Sequence, residues 1–113
     1  MIRDEKKIAD GVEFNGEKLN IVQGKYPDGE TSVVAFDAED GSPYHKISIA
    51  LSGVAADAMV KWVIEHGCFC VQPFEHPPHR KWLETGLFED TGQVIVYGRF
   101  GQKAEVWKVK EKA

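Results

Sequence analysis

Both cysteines and three of the four histidines of the chain lie within one short stretch, residues 66–79. Cys68, Cys70, His76 and His79 form the pattern C-x-C-x5-H-x2-H, and His66 stands two residues ahead of it. Thiolate and imidazole are the ligands that structural zinc prefers, and four of them would complete a tetrahedron. One interpretation is therefore a zinc-stabilised or thiol-dependent domain centred on these four residues.

The spacing of the two cysteines argues against that interpretation. In an extended strand the sulfurs of a C-x-C pair lie about 6–7 Å apart, whereas tetrahedral ligands at a Zn–S distance of about 2.3 Å lie about 3.8 Å apart. The simpler alternative is a pair of buried, apolar cysteines with solvent-facing histidines nearby. A nucleophilic cysteine would need a low-pKa thiolate beside a base, and an apolar strand raises the pKa of a thiol. We expect no cofactor, with zinc as the alternative, and no enzymatic activity.

Acidic side chains are concentrated in two predicted turns. The first contains Asp28 and Glu30, and the second contains Asp37, Glu39 and Asp40. Turns favour Asp and Gly for backbone reasons, so solvated turns are the simplest interpretation, and a calcium site would lack the usual spacing of ligands. The functional interpretation is a negative surface that binds a basic protein, with carboxylates standing in for phosphates.

A third candidate is the turn G-R-F-G at residues 98–101, which joins the last two predicted strands. A tight turn would expose both Arg99 and Phe100. Arginine and aromatic side chains are frequent anchors of protein interfaces. We therefore add these two residues to the predicted partner-binding set, with a buried turn as the alternative.

Length and composition limit the classes of protein to consider. The 113 residues predict a single domain, and an apolar fraction of 42% is typical of a globular chain. The net charge of −4 argues against direct binding to nucleic acid. The chain has neither an apolar signal segment at its start nor a run long enough to cross a membrane, and two cysteines fit a reducing compartment. We expect a cytoplasmic protein.

The residues between 52 and 86 set the predicted architecture. Ala55, Ala58, Met59, Trp62 and Val63 follow the spacing of one helix face, which predicts a helix over about residues 54–66 that packs this face on a sheet. A short helix near residues 80–85 would bury its tryptophan. Everything around these helices has the pattern of strand or turn.

Strand and turn signals complete the fold prediction. An Asn-Gly turn at residues 15–16, a hairpin over residues 31–51, a short strand after residue 67 and two closing strands indicate an antiparallel or mixed sheet. Residues 1–11 are polar and predicted to be loosely held. The order of elements predicts an α+β fold, with about five or six strands and the main helix on one face.

The turn motifs resemble a small family of uncharacterised bacterial proteins that is frequent in phages and other mobile elements. The shared features are Y-P-D-G-E-T at residues 26–31, F-D-A-E-D-G-S-P-Y at 36–44, K-I-S-I-A-L at 46–51 and W-L-E-T-G-L-F-E-D-T-G at 82–92. The resemblance covers roughly residues 25–109 and departs from the family pattern between residues 53 and 79. It implies a fold and a mobile-element accessory protein, plausibly one that interferes with host defence, and it implies no catalytic residues.

The sequence thus predicts a non-enzymatic, cytoplasmic α+β protein that binds another protein. The expected partner is a host nucleic-acid-handling or defence complex, bound in an anti-CRISPR-like manner. The predicted contact residues are Asp28, Glu30, Asp37, Glu39, Asp40, Arg99 and Phe100. The alternatives are the zinc or thiol domain and a homodimer formed through an exposed edge strand.

Overall fold

The computed structural model describes residues 3–72 and 79–110, without the side chains of Arg3, Asp4 and His79. Within these ranges the chain forms seven strands, one α-helix and one 3-10 helix. In chain order they are β1 (Arg3–Phe14), β2 (Glu17–Lys25), β3 (Thr31–Asp37), β4 (Pro43–Lys46), α1 (Asp57–Glu65), β5 (Phe69–Val71), the 3-10 helix (His79–Thr85), β6 (Phe88–Tyr97) and β7 (Gln102–Val109).

The strands form two antiparallel sheets, so the prediction of a single sheet in an α+β fold is wrong. One sheet has the order β1-β2-β3-β4 and the other has the order β5-β7-β6. Strand accounts for 53% and helix for 15% of the structure, which is therefore mostly β. The hairpin signals of the sequence describe local pairings, and they carry no information on which hairpins join the same sheet.

The two sheets pack face to face across an apolar core. Its buried members come from both sheets and the 3-10 helix: Phe14, Leu19, Ile21, Val33, Ala35, Ile47, Phe69, Val71, Trp82, Phe88 and Trp107. Trp82 stacks on Phe14 with ring centroids 3.7 Å apart and an interplanar angle of 5°. Its side chain is fully buried, as the sequence predicts. An aromatic stack thus closes the space between the two sheets beside the β1–β2 turn.

Helix α1 covers the other face of the three-stranded sheet, but with a different stripe of side chains from the predicted one. Val60 and Val63 are its buried residues, whereas Met59 and Trp62 are 43% and 38% exposed. Val60, Val63 and Ile64 also follow the i, i+3, i+4 spacing, so the sequence contains two overlapping stripes. The β-branched stripe is the one that packs on the sheet, and the side chains of Met59 and Trp62 point toward solvent.

Within the segment over residues 1–11, predicted to be loosely held, the described residues from Arg3 onward are strand. β1 begins at Arg3 and pairs with β2 along its length, with register shifts between Arg3 and Lys6, between Lys7 and Ala9, and between Ala9 and Val12. The sequence did not predict this strand because its side chains are mostly charged. An edge strand gains its stability from backbone pairing and often carries lysines on its exposed side. The β1–β2 turn confirms the Asn-Gly prediction, with φ of 54° at Asn15 and 81° at Gly16.

β6 is an edge strand interrupted by a bulge. It advances four positions, from Asp90 to Val94, while β7 moves only two, from Trp107 to Glu105. The Thr91 hydroxyl donates a hydrogen bond to the carbonyl oxygen of residue 106 at 2.7 Å across the gap. The bulge thus separates the first part of β6, which contributes Phe88 to the core, from the apolar run at residues 94–97.

Helix α1 has nine residues. In the part of the chain that the structure describes, no helix has the length and hydrophobicity needed to cross a lipid bilayer.

Candidate functional site

The first acidic turn, between β2 and β3, directs one carboxylate inward. Glu30 is 2% exposed. Its Oε1 and Oε2 each accept a hydrogen bond from the backbone N–H of Leu51 at 3.1 Å, and Oε2 accepts another from Ser52 at 3.2 Å. The expectation that Glu30 belongs to an exposed acidic surface does not hold, because its side chain ties the β2–β3 turn to the segment before α1.

Asp28 and Glu30 form a coupled pair of carboxylates. Burial raises the pKa of Glu30 to about 7, and the neighbouring Asp28 adds to the rise. Partial burial would also raise the pKa of Asp28, but hydrogen bonds with Glu30 and Ser52 lower it overall. When the pair holds one proton, that proton lies on the buried Glu30 and the negative charge lies on Asp28, which is exposed.

A second polar network lies beside Glu30. The Tyr26 hydroxyl is 3.0 Å from the Ser48 hydroxyl, which in turn accepts a hydrogen bond from the backbone N–H of Val33 at 2.8 Å. Lys46 places its ammonium group 5.2 Å from the centroid of the Tyr26 ring. These contacts hold the β2–β3 turn against the segment at residues 46–48, so Tyr26 has a structural role. A Y-x-D-G-E sequence alone does not show this, since the partners lie about twenty residues further along the chain.

The second acidic turn, between β3 and β4, directs its carboxylates outward. The Asp37 carboxylate accepts hydrogen bonds from the backbone N–H groups of Glu39 at 2.8 Å and Asp40 at 3.3 Å. Asp40 accepts bonds from the hydroxyl and the backbone N–H of Ser42 at 2.6 and 2.8 Å, and these bonds lower its pKa. Glu39 and Asp40 are exposed. Asp37 and Asp40 stabilise the turn, and together with Glu39 they present negative charge to solvent.

The structure separates the two acidic turns. They lie at opposite ends of β3, which has seven residues and spans about 20 Å at roughly 3.3 Å per residue. The predicted acidic contact residues therefore do not form one surface. Asp28 belongs to one end of the molecule, whereas Asp37, Glu39 and Asp40 belong to the other.

The hairpin tip between β6 and β7 lies near the Asp28 end. The backbone N–H of Gly98 donates a hydrogen bond to the carbonyl of Val54 at 3.1 Å, and Asp28 is hydrogen-bonded to Ser52 in the same loop. Phe100 is 87% exposed, and Arg99 is exposed beside it. The structure thus places Arg99 and Phe100 at the surface, as predicted, and joins them to the first acidic turn through the loop at residues 51–56.

Exposed apolar side chains are concentrated around this hairpin and α1. Among the described residues seven large hydrophobic side chains are exposed, and six of them come from α1, the loop before it, β6 and the hairpin tip: Val54, Met59, Trp62, Val94, Val96 and Phe100. We refer to these six as the apolar face. A groove of about 270 Å³ runs between Met59, Trp62 and Val94. Sequence reasoning missed this face because it assigned Met59 and Trp62 to the core.

The two cysteines are buried beneath α1. Both are free thiols, and the Cys68 thiol lies 3.6 Å from the carbonyl oxygen of His66. Burial, with smaller effects of Glu30 and Cys68, raises the pKa of Cys70 to about 12, and burial also raises the pKa of Cys68. Such thiols are poor nucleophiles and poor metal ligands, because both roles need the thiolate.

The other two predicted zinc ligands can be placed only in part. His76 and the side chain of His79 lie outside the described residues. Within those residues, no group of three or more His, Cys, Asp or Glu side chains is arranged to hold a metal ion. His66 lies at the C-terminal end of α1, where its ring stacks on that of Trp62 at a centroid distance of 4.0 Å.

A polar cluster that the sequence did not indicate joins the 3-10 helix to the three-stranded sheet. Arg80 contacts Asp90 at 3.2 Å and Glu105 at 2.8 Å, and the Trp107 indole donates to the same Glu105 oxygen at 3.1 Å. Residues 80, 90 and 105 are distant in sequence, so only the strand register brings them together. The cluster ties the 3-10 helix to β6 and β7.

No family model, curated protein or solved structure matches the chain. Two exposed features of the described residues are candidates for binding a partner: the apolar side chains of the apolar face and the carboxylates of the outward acidic turn.

Proposed function

We propose that the protein works by binding another protein through the apolar face, without catalysing a reaction. The observation that carries this proposal is that six of the seven large exposed apolar side chains belong to α1, the loop before it, β6 and the hairpin tip, and that Met59, Trp62 and Val94 line one groove. Scattered single apolar residues are normal on a protein surface, whereas a contiguous group of them marks an interaction site. The buried thiols and the fully engaged Glu30 favour binding over catalysis.

Phe100 is the expected centre of this interface. An aromatic ring that is 87% exposed at the tip of a tight hairpin gains contact area only from a partner. Arg99 precedes Phe100 in the exposed turn and Trp62 belongs to the apolar face, and Arg, Trp and Tyr side chains are enriched among interface hot spots. Asp28 and Arg99 would supply charges at the rim of the contact.

The class of partner is suggested by the turn motifs and by the outward acidic turn. The motifs resemble mobile-element proteins, and Glu39 and Asp40 present carboxylates that a nucleic-acid-binding surface would attract. We therefore propose a host nucleic-acid-handling or defence complex as the partner, anchored by the apolar face and oriented by the acidic turn. Free thiols at Cys68 and Cys70 suit action in the cytoplasm.

A homodimer through the β6 edge is less favoured. The bulge at residues 91–93 leaves only residues 94–97 as a regular edge, which is short for strand addition. The side chains of Val94 and Val96 would instead contact a partner directly. Self-association remains a measurable alternative, since it would double the mass of the protein in solution.

The test compares the removal of two exposed aromatic rings. In the first step, immobilised wild-type protein is used to capture its partner from bacterial lysate. In the second step, calorimetry with the purified partner measures the affinities of the variants Phe100→Ser and Tyr44→Ser. Tyr44 is exposed but lies on β4, away from the apolar face, and serves as the matched control. We expect Phe100→Ser to weaken binding at least about tenfold, as for a hot-spot residue, and Tyr44→Ser to change it less than about twofold.

Equal affinity of the two variants, or the absence of any partner that survives purification, would overturn the proposal. Sedimentation velocity on the wild type separates the homodimer, because a dimer that Phe100→Ser dissociates would show a second copy as the partner. A Glu39→Lys, Asp40→Lys variant that retains full affinity would remove the acidic turn from the interface and leave the apolar face in place.

A further inference from the structure

A groove rich in lysine runs between the two sheets, away from the apolar hairpin tip. One section, of about 440 Å³, is lined by Lys6, Lys7, Ile8, Gln23, Gly67, Val109 and Lys110. A second section, of about 520 Å³, is lined by His66, Gly67, Glu89, Lys108, Val109 and Lys110. The two sections share Gly67, Val109 and Lys110, so they form one continuous surface, which we call the basic groove.

The charge of the basic groove is opposite to that of the whole chain. The chain has 14 Lys and Arg against 18 Asp and Glu, yet four lysines line the groove against one lining carboxylate, that of Glu89, and a second carboxylate, that of Asp10, lies 3.3 Å from Lys7. Lys108 contacts Glu89 at 3.7 Å, and both side chains are about half exposed, so the pair neutralises little. Lys6 and Lys110 make no ion pair with any residue the structure describes. The field in the groove is therefore positive.

An aromatic stack borders the groove. His66 lines the second section, and its ring lies against the exposed Trp62 at 4.0 Å with an interplanar angle of 19°. The imidazole Nδ1 is held 2.8 Å from the Trp62 carbonyl oxygen, which fixes the ring in place. A rigid pair of flat rings beside a row of cations is the combination with which proteins bind unpaired nucleobases and their phosphates.

We propose that the basic groove binds the sugar-phosphate backbone of a single-stranded nucleic acid, with a base stacked at the Trp62–His66 pair. A row of separate ammonium groups along an open groove suits a regular chain of phosphates. The stacked rings favour nucleobases over an acidic peptide, which would present no flat group to them. The binding site meets the apolar face at Trp62 and is distinct from Phe100 at the hairpin tip and from the acidic turn, so the protein would contact both components of a nucleic-acid-containing complex.

The experiment measures fluorescence anisotropy of a labelled oligothymidylate with the full-length protein over a range of salt concentrations. For single strands the logarithm of the binding constant falls with the logarithm of salt with a slope of about −0.7 per phosphate contact, so four lysines predict a slope of about −3. The groove variant Lys6→Glu, Lys110→Glu is compared with Lys18→Glu, Lys103→Glu, which makes the same change of net charge at exposed sites outside the groove. Circular dichroism confirms that each variant is folded.

We expect the groove variant to bind at least about tenfold more weakly and with a reduced salt slope, and the control variant to bind within about threefold of the wild type. Three results would overturn the proposal: no binding by the wild type at low salt, equal weakening in both double variants, or equal affinity for polyglutamate. The first shows that the groove binds no single strand, the second that only net charge matters, and the third that the groove accepts any polyanion. If either double variant is unfolded, the single substitutions Lys110→Gln and Lys103→Gln provide the same comparison.

Discussion

The two acidic turns on either side of β3 have similar compositions and opposite roles. The β2–β3 turn buries Glu30, whose two oxygens accept backbone N–H groups from residues 51 and 52. In the β3–β4 turn, Asp37 and Asp40 accept N–H groups no more than three residues away. The difference lies in the position of the backbone N–H groups that bind each carboxylate, which are remote in sequence for Glu30 and close in sequence for Asp37 and Asp40. A carboxylate serves long-range structure when remote backbone donors need an acceptor, and it stays at the surface when the donors are its own neighbours.

The largest expected difference between the turns is in stability. Glu30→Ala would remove the acceptor of the buried Leu51 N–H and of the more exposed Ser52 N–H, which should cost about 2–4 kcal/mol of unfolding free energy. Glu39→Ala removes an exposed carboxylate and should change stability by less than about 0.5 kcal/mol. Urea denaturation of both variants gives the comparison, and similar losses in the two would show that burial of Glu30 is not what distinguishes the turns.

The next difference is in the dependence of stability on pH. The pKa of Glu30 is raised from 4.5 to about 7, so the folded state favours the protonated form. Its contribution is fully present below pH 4.5 and is lost as the pH rises through about 7. The lowered pKa of Asp28 acts below 3.8, outside this window. The unfolding free energy should therefore fall by about 1–3 kcal/mol between about pH 5 and pH 8.

The variant Glu30→Gln isolates this effect, because an amide cannot ionise and keeps an oxygen acceptor. Its unfolding free energy should vary less with pH than that of the wild type, and it should equal or exceed the wild-type value at about pH 8. Asp40→Asn in the exposed turn is the matched control and should leave the neutral-to-alkaline profile unchanged. A Gln variant with the wild-type slope would assign the pH dependence to another group.

The smallest expected effect concerns the local cap of the second turn. Asp37→Ala removes the acceptor of two backbone N–H groups that water can reach, and should cost about 0.5–1 kcal/mol. Asp37→Asn retains an oxygen in the same position and should cost less. Thermal denaturation of the two variants measures the difference. A loss as large as that of Glu30→Ala would mean that the second turn also supports long-range structure.

The turn chemistry was predictable from the sequence, whereas the assembly of the turns was not. Asn15-Gly16 and the tip at residues 98–101 are turns, as their residue types require. The division into two sheets depends on side chains from both ends of the chain, such as Phe14 and Trp82, that pack together. β1 escaped prediction because its pairing with β2 uses backbone groups, which are the same in every sequence.

The surfaces were predictable to a similar degree. Exposure of Arg99 and Phe100 followed from a tight turn, but the exposure of Met59 and Trp62 depended on which of two equally spaced stripes α1 would bury. Glu30 was misplaced because its hydrogen-bond donors are 21 residues away or more. The basic groove combines residues from both ends of the chain, so no local pattern of charge reveals it.

The bulge in β6 has a consequence for how the chain behaves at high concentration. A straight edge strand ending in Val-Ile-Val-Tyr would offer a template on which further copies could add without limit, as in amyloid growth. The two extra residues within the stretch 91–93 bend the strand before this run and interrupt its row of backbone donors and acceptors. The protein can therefore expose valines for recognition while the same strand resists polymerisation.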